Sequence, residues 1–95
     1  MQESRTQKHV ELAIWAANCA EHVLHLFERI RPDDKNPREA IEATRAWVSG
    51  KMSVFDARKH AFAAHASARE VQDPAAVAAA RAAGHAAATP HVQTH

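Results

Sequence analysis

The alternation of apolar and polar residues along the chain predicts four helical segments joined by short polar breaks. The first predicted helix covers about residues 7–30 and carries two apolar faces instead of one. One face contains Val10, Ala13, Ile14, Ala17 and Leu24, and the other contains Leu12, Trp15, Cys19, Val23, Leu26, Phe27 and Ile30. A helix that is apolar over most of its circumference is buried on more than one side. We therefore expect this helix at the centre of the domain, with Trp15 and Cys19 in the core.

The second predicted helix is marked by residues that are typical of helix ends. Asn36 is the expected N-cap, and Pro37 suits the first helical position, where its missing N–H is not needed. Glu39 follows Asn36 at the spacing of a capping box. Trp47 lies on the apolar stripe and is expected in the core. Gly50 is expected to end the helix in the left-handed conformation that glycine tolerates.

The third predicted helix begins with Ser53 as its N-cap and runs to about Glu70. Its apolar side, which we expect to face the core, contains Val54, Phe55, Ala61, Phe62 and Ala66. The Asp73-Pro74 pair repeats the combination of cap and proline at the start of the fourth helix. The segments that connect the predicted helices are short, and short connections favour antiparallel neighbours in a bundle.

The fourth predicted helix consists almost entirely of alanine. Ala80, Gly84 and Ala88 recur every four residues on one face, and small residues at this spacing allow two helix backbones to approach closely. The alternative interpretation of Gly84 is an early end of the helix. Pro90 is expected to kink or end it.

Composition supports this assignment and narrows the fold class. Of the 95 residues 23 are alanine, the best helix former, whereas there are only 2 glycines and no tyrosine. We predict an all-α protein, a small antiparallel helical bundle of about four helices, forming one domain over residues 1–95. Because the alanines are concentrated after Ala57, we expect the second half of the chain to pack as thin helices around the thicker first helix.

Charge and cysteine content exclude several classes of protein. Twelve basic and eleven acidic residues alternate along the chain, which is typical of a solvated surface and not of a nucleic-acid binder. The single cysteine, Cys19, forbids an internal disulfide and fits the cytoplasm. No apolar run suggests a signal peptide or a membrane span.

The eight histidines are the main candidates for metal binding. His22 and His25 lie three residues apart, and His91 and His95 lie four apart. Together they are candidates for a four-nitrogen metal site, although the HExxH pattern is missing. The alternative is that these histidines lie on polar surface stripes, and we expect no cofactor.

Catalytic residues are not evident in the sequence. Cys19 precedes His22 by three residues, but its place on an apolar face predicts a buried core residue. The serines lack a nucleophile elbow, and no glycine-rich loop could hold a phosphate. We therefore predict that the protein is not an enzyme. Trp15 and Trp47 are expected in the core, whereas an exposed tryptophan would indicate a binding hot spot.

Several segments resemble one known family. They are Trp15-Ala16-Ala17-Asn18-Cys19-Ala20-Glu21-His22, Pro37-Arg38-Glu39-Ala40-Ile41-Glu42-Ala43, Arg45-Ala46-Trp47, Ala64-His65-Ala66-Ser67-Ala68-Arg69-Glu70 and Ala79-Ala80-Arg81-Ala82-Ala83-Gly84-His85-Ala86. In these segments the chain is similar to the bacterial immunity proteins with an Imm-5-like domain. The resemblance implies an all-α domain that neutralises a cognate toxin by binding it.

One departure from that family bears on assembly. Similar proteins continue past the position of His95 with another apolar helix, and they carry alanine where this chain has Thr89-Pro90. The domain is thus expected to lack a C-terminal helix. We expect a second copy of the chain or a partner to cover the first helix in its place.

Three functions therefore remain open. In a toxin-binding module the expected contact residues are His22, Arg45, Arg69 and His85. The alternatives are a histidine-rich helical metal-binding protein and an oligomeric helical protein without a ligand. DNA binding through Arg58, Lys59 and Arg69 is disfavoured because acidic residues lie among them.

Overall fold

The computed structural model describes residues 6–91, and every regular element in this range is helical. The elements are α1 (Gln7–Val23), α2 (His25–Glu28), α3 (Asn36–Val48), α4 (Val54–Ala68), α5 (Pro74–Ala88) and a short 3-10 helix (Thr89–His91). The predicted all-α bundle is confirmed. The first predicted helix is divided at Leu24 into α1 and α2. In this part of the chain no helix is long and apolar enough to cross a membrane.

Local capping chemistry sets most of the helix starts. The Ser53 hydroxyl accepts from the backbone N–H of Asp56 at 3.0 Å, and an Asp73 carboxylate oxygen accepts from that of Ala76 at 2.9 Å. Both predicted N-caps are confirmed. Gly50 ends α3 with φ of 78°, as predicted.

The predicted N-cap role of Asn36 is wrong. Its backbone N–H donates to Asp34 Oδ1, and its side-chain amide donates to Ser67 Oγ of α4, each at 3.0 Å. Lys35 occupies the N-cap position without a side-chain hydrogen bond. The asparagine side chain is used for a tertiary contact, so it is not available to cap its own helix.

The centre of the bundle is α5 and not α1. Helix α5 packs against α1, α2, α3 and α4, whereas α1 and α4 share no close contact within residues 6–91. The four long helices follow the order α1, α3, α4, α5 around the bundle, and α3 and α5 also meet across its middle. The prediction that the first helix lies at the centre is therefore wrong.

Alanine explains why α5 can occupy the centre. Its buried residues are Ala76, Ala79, Ala80, Ala83, Gly84, Ala86 and Ala87. Side chains of this size let neighbouring helices approach closely and lose almost no rotamer entropy on burial. The large core residues Trp47 and Phe27 lie on α3 and α2, where they fill the remaining space.

Helix α1 is buried on one face only. This face begins with His9, continues with the small residues Ala13, Ala17 and Ala20, and is followed by Leu24. On the second apolar face, Trp15 is 64% exposed and Cys19 is also exposed, so the predicted core positions of both are wrong. The small face permits the closest packing, and the bulky face is left outside.

On the third predicted helix, which is α4, the large apolar residues expected to face the core are also at the surface. Phe55 and Phe62 are 68% and 60% exposed. The Arg58 guanidinium lies 5.4 Å from the ring centroid of Phe62, and the Lys59 amine lies 5.0 Å from that of Phe55. The buried side of α4 again consists of small residues, among them Ala57, Ala61 and Ala64.

Candidate protein-binding surfaces

The structure brings His22 and Arg45 together in an open cleft between α1 and α3. Asn18 and Glu21 complete its lining. Arg45 donates to Asn18 Oδ1 at 3.1 Å and forms an ion pair with Glu21. The charge of Arg45 is therefore balanced inside the cleft, which presents polar groups and little net charge.

A second ion pair closes the neighbouring end of α3. Arg38 Nε and Nη2 donate to the two carboxylate oxygens of Glu28 at 2.7 and 2.6 Å. These hydrogen bonds hold the pKa of Glu28 below its ordinary value. Such bidentate pairs fix geometry as well as charge, and this one joins α2 to α3.

Arg69 and His85 lie at a different place, the α4/α5 edge of the bundle, where Arg69 follows the last residue of α4 and His85 lies on α5. The structure adds His65 and Arg81 to them, and we call these four residues the basic quartet. The imidazole rings of His65 and His85 meet edge to face, with their centroids 4.9 Å apart. Burial lowers the pKa of His65, and the charges of His85, Arg69 and Arg81 lower it further.

The four predicted contact residues thus form two separate pairs. The α1/α3 and α4/α5 edges are opposite each other in the helix order around the bundle. A partner with one flat surface reaches one pair and not the other. Sequence spacing alone does not reveal this, because it does not say which helices are neighbours.

A third surface is the outer side of α1. We call Leu12, Trp15 and Cys19, which are all exposed, the α1 ridge. His22 follows Trp15 by seven residues, which is two helical turns, so both lie on the same outward side. The ridge therefore continues into the cleft that His22 and Arg45 line.

The candidate metal ligands do not form a cluster within the described residues. His22 and His25 are exposed on α1 and α2, and His91 is exposed in the 3-10 helix. His95 lies outside the described residues. Within residues 6–91, no three His, Cys, Asp or Glu side chains could hold a metal ion together.

One buried histidine was missed by sequence reasoning. His9 is 4% exposed, and its Nε2 lies 2.7 Å from the backbone oxygen of Thr89. Its ring packs beside Trp47 at a centroid distance of 5.2 Å. The only sequence signal is that His9 precedes Ala13 and Ala17 on the same helix face at four-residue spacing.

Comparison with known proteins gives one match. No curated protein and no solved structure matches the chain. The family model described as Imm-5 like putative immunity protein matches residues 2–95, which is nearly the whole chain. The protein therefore belongs to the Imm-5-like immunity protein family.

Proposed function

We propose that the protein neutralises a bacterial toxin by protein–protein contact, with the α1 ridge and the adjoining His22–Arg45 cleft as its contact surface. The exposed position of Trp15 carries this proposal. Tryptophan and arginine are the residues most enriched at binding hot spots, and contiguous apolar surface is uncommon on a protein that functions alone. Membership of the immunity family supports a protein partner.

The surface has the composition of a specific interface. An apolar centre, Trp15 with Leu12 and Cys19, borders a polar rim that includes His22 and Arg45. Contact of this kind requires no reacting groups on this chain, and we expect no catalysis. We propose the cytoplasm as the compartment, because the single cysteine fits a reducing environment.

The test uses the product of the neighbouring open reading frame as the toxin. We expect that product to inhibit growth, the protein to restore growth, and the two to bind in calorimetry. Trp15→Ala is expected to weaken binding by about 2 kcal/mol, or roughly thirtyfold. The matched control is Phe62→Ala, which removes an aromatic ring of similar exposure from α4.

The two parts of the proposal fail in different ways. No binding and no protection by the unchanged protein would contradict toxin neutralisation. Binding that Trp15→Ala leaves intact would show that another surface is used. The histidine-rich metal-binding alternative is tested separately by elemental analysis of protein purified without a histidine tag, where stoichiometric metal would favour it.

A further inference from the structure

We propose that the basic quartet of His65, Arg69, Arg81 and His85 is an anion-binding site for the carboxylates of an acidic protein segment. This site is separate from the α1 ridge and does not depend on the proposed toxin contact. Its basis is the geometry of α4 and α5 and the charge balance of the surrounding surface.

The spacing of the four residues places them as two pairs, one at the end of α4 and one on α5. His65 and Arg69 are four positions apart at the end of α4, and Arg81 and His85 are four positions apart on α5. Residues at this spacing lie on adjacent turns of one helix face. Because the helices are antiparallel neighbours and His65 contacts His85, the same register brings Arg69 opposite Arg81.

Gly84 lets His65 approach α5 closely. A Cβ atom at this position would lie 2.7 Å from two atoms of the His65 ring. The missing side chain lets the ring lie directly against α5. His65 is half-buried there, whereas Arg69, Arg81 and His85 are exposed and can reach a ligand.

The positive charge of the quartet is not neutralised within the described residues. Three other arginines are paired with carboxylates: Arg31 with Asp33 and Glu70, Arg38 with Glu28, and Arg45 with Glu21. Neither Arg69 nor Arg81 has an acidic partner within residues 6–91, and α5 contains no acidic residue. A carboxylate between the two guanidinium groups would be held by charge-assisted hydrogen bonds. It would also offset the repulsion between the two positive charges.

A protein ligand fits this site better than a nucleic acid does. The quartet spans about one helical turn on each helix, and the acidic residues Glu70 and Asp73 lie between its two halves in the sequence. Nucleic-acid binding requires a longer basic track that follows the phosphate backbone. The chain as a whole has a net charge of only +1, so it lacks such a track.

Binding is expected to be tighter at acidic pH. Three charged groups act on the pKa of His65: His85 and Arg81 of α5, and Arg69, which follows the end of α4. Among the described residues, no charged side chain of α3 or of the 3-10 helix contributes to this effect. A bound carboxylate favours the protonated imidazoles. Protonation of the two histidines in turn strengthens the attraction for the anion.

The experiment measures fluorescence anisotropy of a labelled oligoglutamate peptide with the whole chain. We expect binding to be stronger near pH 6 than near pH 7.5, as protonation of histidine requires. Arg69→Gln and Arg81→Gln are each expected to weaken it at least about tenfold. Arg58→Gln is the matched control, because Arg58 is an exposed arginine of α4 outside the quartet.

Two further measurements decide the assignment. Proton NMR is expected to show that the peptide raises the pKa of His65. An unmoved pKa of His65, or an equal loss of binding in Arg58→Gln, would overturn the site. Tighter binding of a DNA duplex of matched charge would overturn the assignment of an acidic protein segment as the ligand. Unchanged thermal unfolding of the two quartet variants would show that their loss of binding is not a loss of fold.

Discussion

His9 joins the beginning of α1 to the end of the described chain. The Thr89 carbonyl can only accept, so His9 Nε2 carries the proton and donates to it at 2.7 Å. The same ring fills space beside Trp47. One side chain therefore supplies both packing and a buried hydrogen bond between segments 80 residues apart.

We expect His9→Ala to lower the free energy of unfolding by about 2–4 kcal/mol. The substitution leaves a cavity beside Trp47 and a buried carbonyl without its donor, and these costs add. Urea unfolding followed by circular dichroism measures the change. His22→Ala, at an exposed position on the same helix, is the control and should change stability little; an equal loss in both variants would contradict the proposed role of His9.

His65 makes stability depend on pH in a known direction. Its folded-state pKa is below the ordinary value of 6.5, because burial and the surrounding positive groups disfavour its charged form. Between those two pKa values the unfolded chain binds more protons than the folded one. The contribution of His65 to stability is therefore intact above pH 6.5 and is lost as the pH falls towards the folded-state pKa.

We expect His65→Asn to flatten the dependence of unfolding free energy on pH just below 6.5. Urea unfolding over a pH series measures the slope. His25→Asn, which removes an exposed histidine of α2, is the matched control and is measured over the same pH series. A slope that His65→Asn does not alter would contradict the coupling.

At the scale of elements, the pairing of α4 with α5 depends on Gly84. Glycine inside a helix is less favourable than alanine, by about 0.5–1 kcal/mol. Here it lets the His65 ring occupy the space that a Cβ atom would take, so a larger residue would displace the ring. On the small-residue face predicted from Ala80, Gly84 and Ala88, the glycine thus makes room for the His65 ring. The alternative of an early helix end at Gly84 is wrong, because α5 continues to Ala88.

A double-mutant cycle tests this packing. Gly84→Ala in the unchanged chain is expected to lower stability by about 1 kcal/mol, because displacement of the His65 ring outweighs the gain in helix propensity. In a His65→Ala background the same substitution is expected to raise stability by about 0.5–1 kcal/mol. Thermal or urea unfolding gives both values, and identical effects in the two backgrounds would show that the ring and the glycine are not coupled.

The helix ends show where sequence reasoning succeeds. Ser53, Asp73 and Gly50 act within a few residues of themselves, so their roles are visible in the chain. Asn36 has the same local pattern, but Ser67 of α4 competes for its side chain. A local rule fails when a distant residue offers a hydrogen bond of similar strength.

At the scale of the whole molecule, the α1 ridge predicts self-association in the absence of a partner. We expect sedimentation equilibrium to show a monomer–dimer equilibrium for the unchanged chain. Trp15→Lys is expected to shift it to monomer, because a charge at the centre of an apolar contact is costly to desolvate. Phe55→Lys, on α4, is the control. A compact monomer at all concentrations would contradict this prediction.

The candidate sites could be predicted only in part. The sequence predicts that His22, Arg45, Arg69 and His85 are exposed; in the structure His22, Arg69 and His85 are exposed and Arg45 is half-buried. Their division into two pairs, and the addition of His65 and Arg81, depend on which helices are neighbours. The two apolar faces of its helix predict Trp15 in the core, because sequence periodicity does not show which of two apolar faces is buried.

Helical content, helix ends and the all-α class follow from the sequence, because alanine propensity and capping act over a few residues. The central position of α5, the exposure of Trp15 and the assembly of the basic quartet were decided by tertiary packing. Backbones approach most closely where side chains are smallest, so the alanine faces of α1, α4 and α5 turned inward. The larger apolar residues of α1 and α4 were thereby left at the surface, where they can contact a partner.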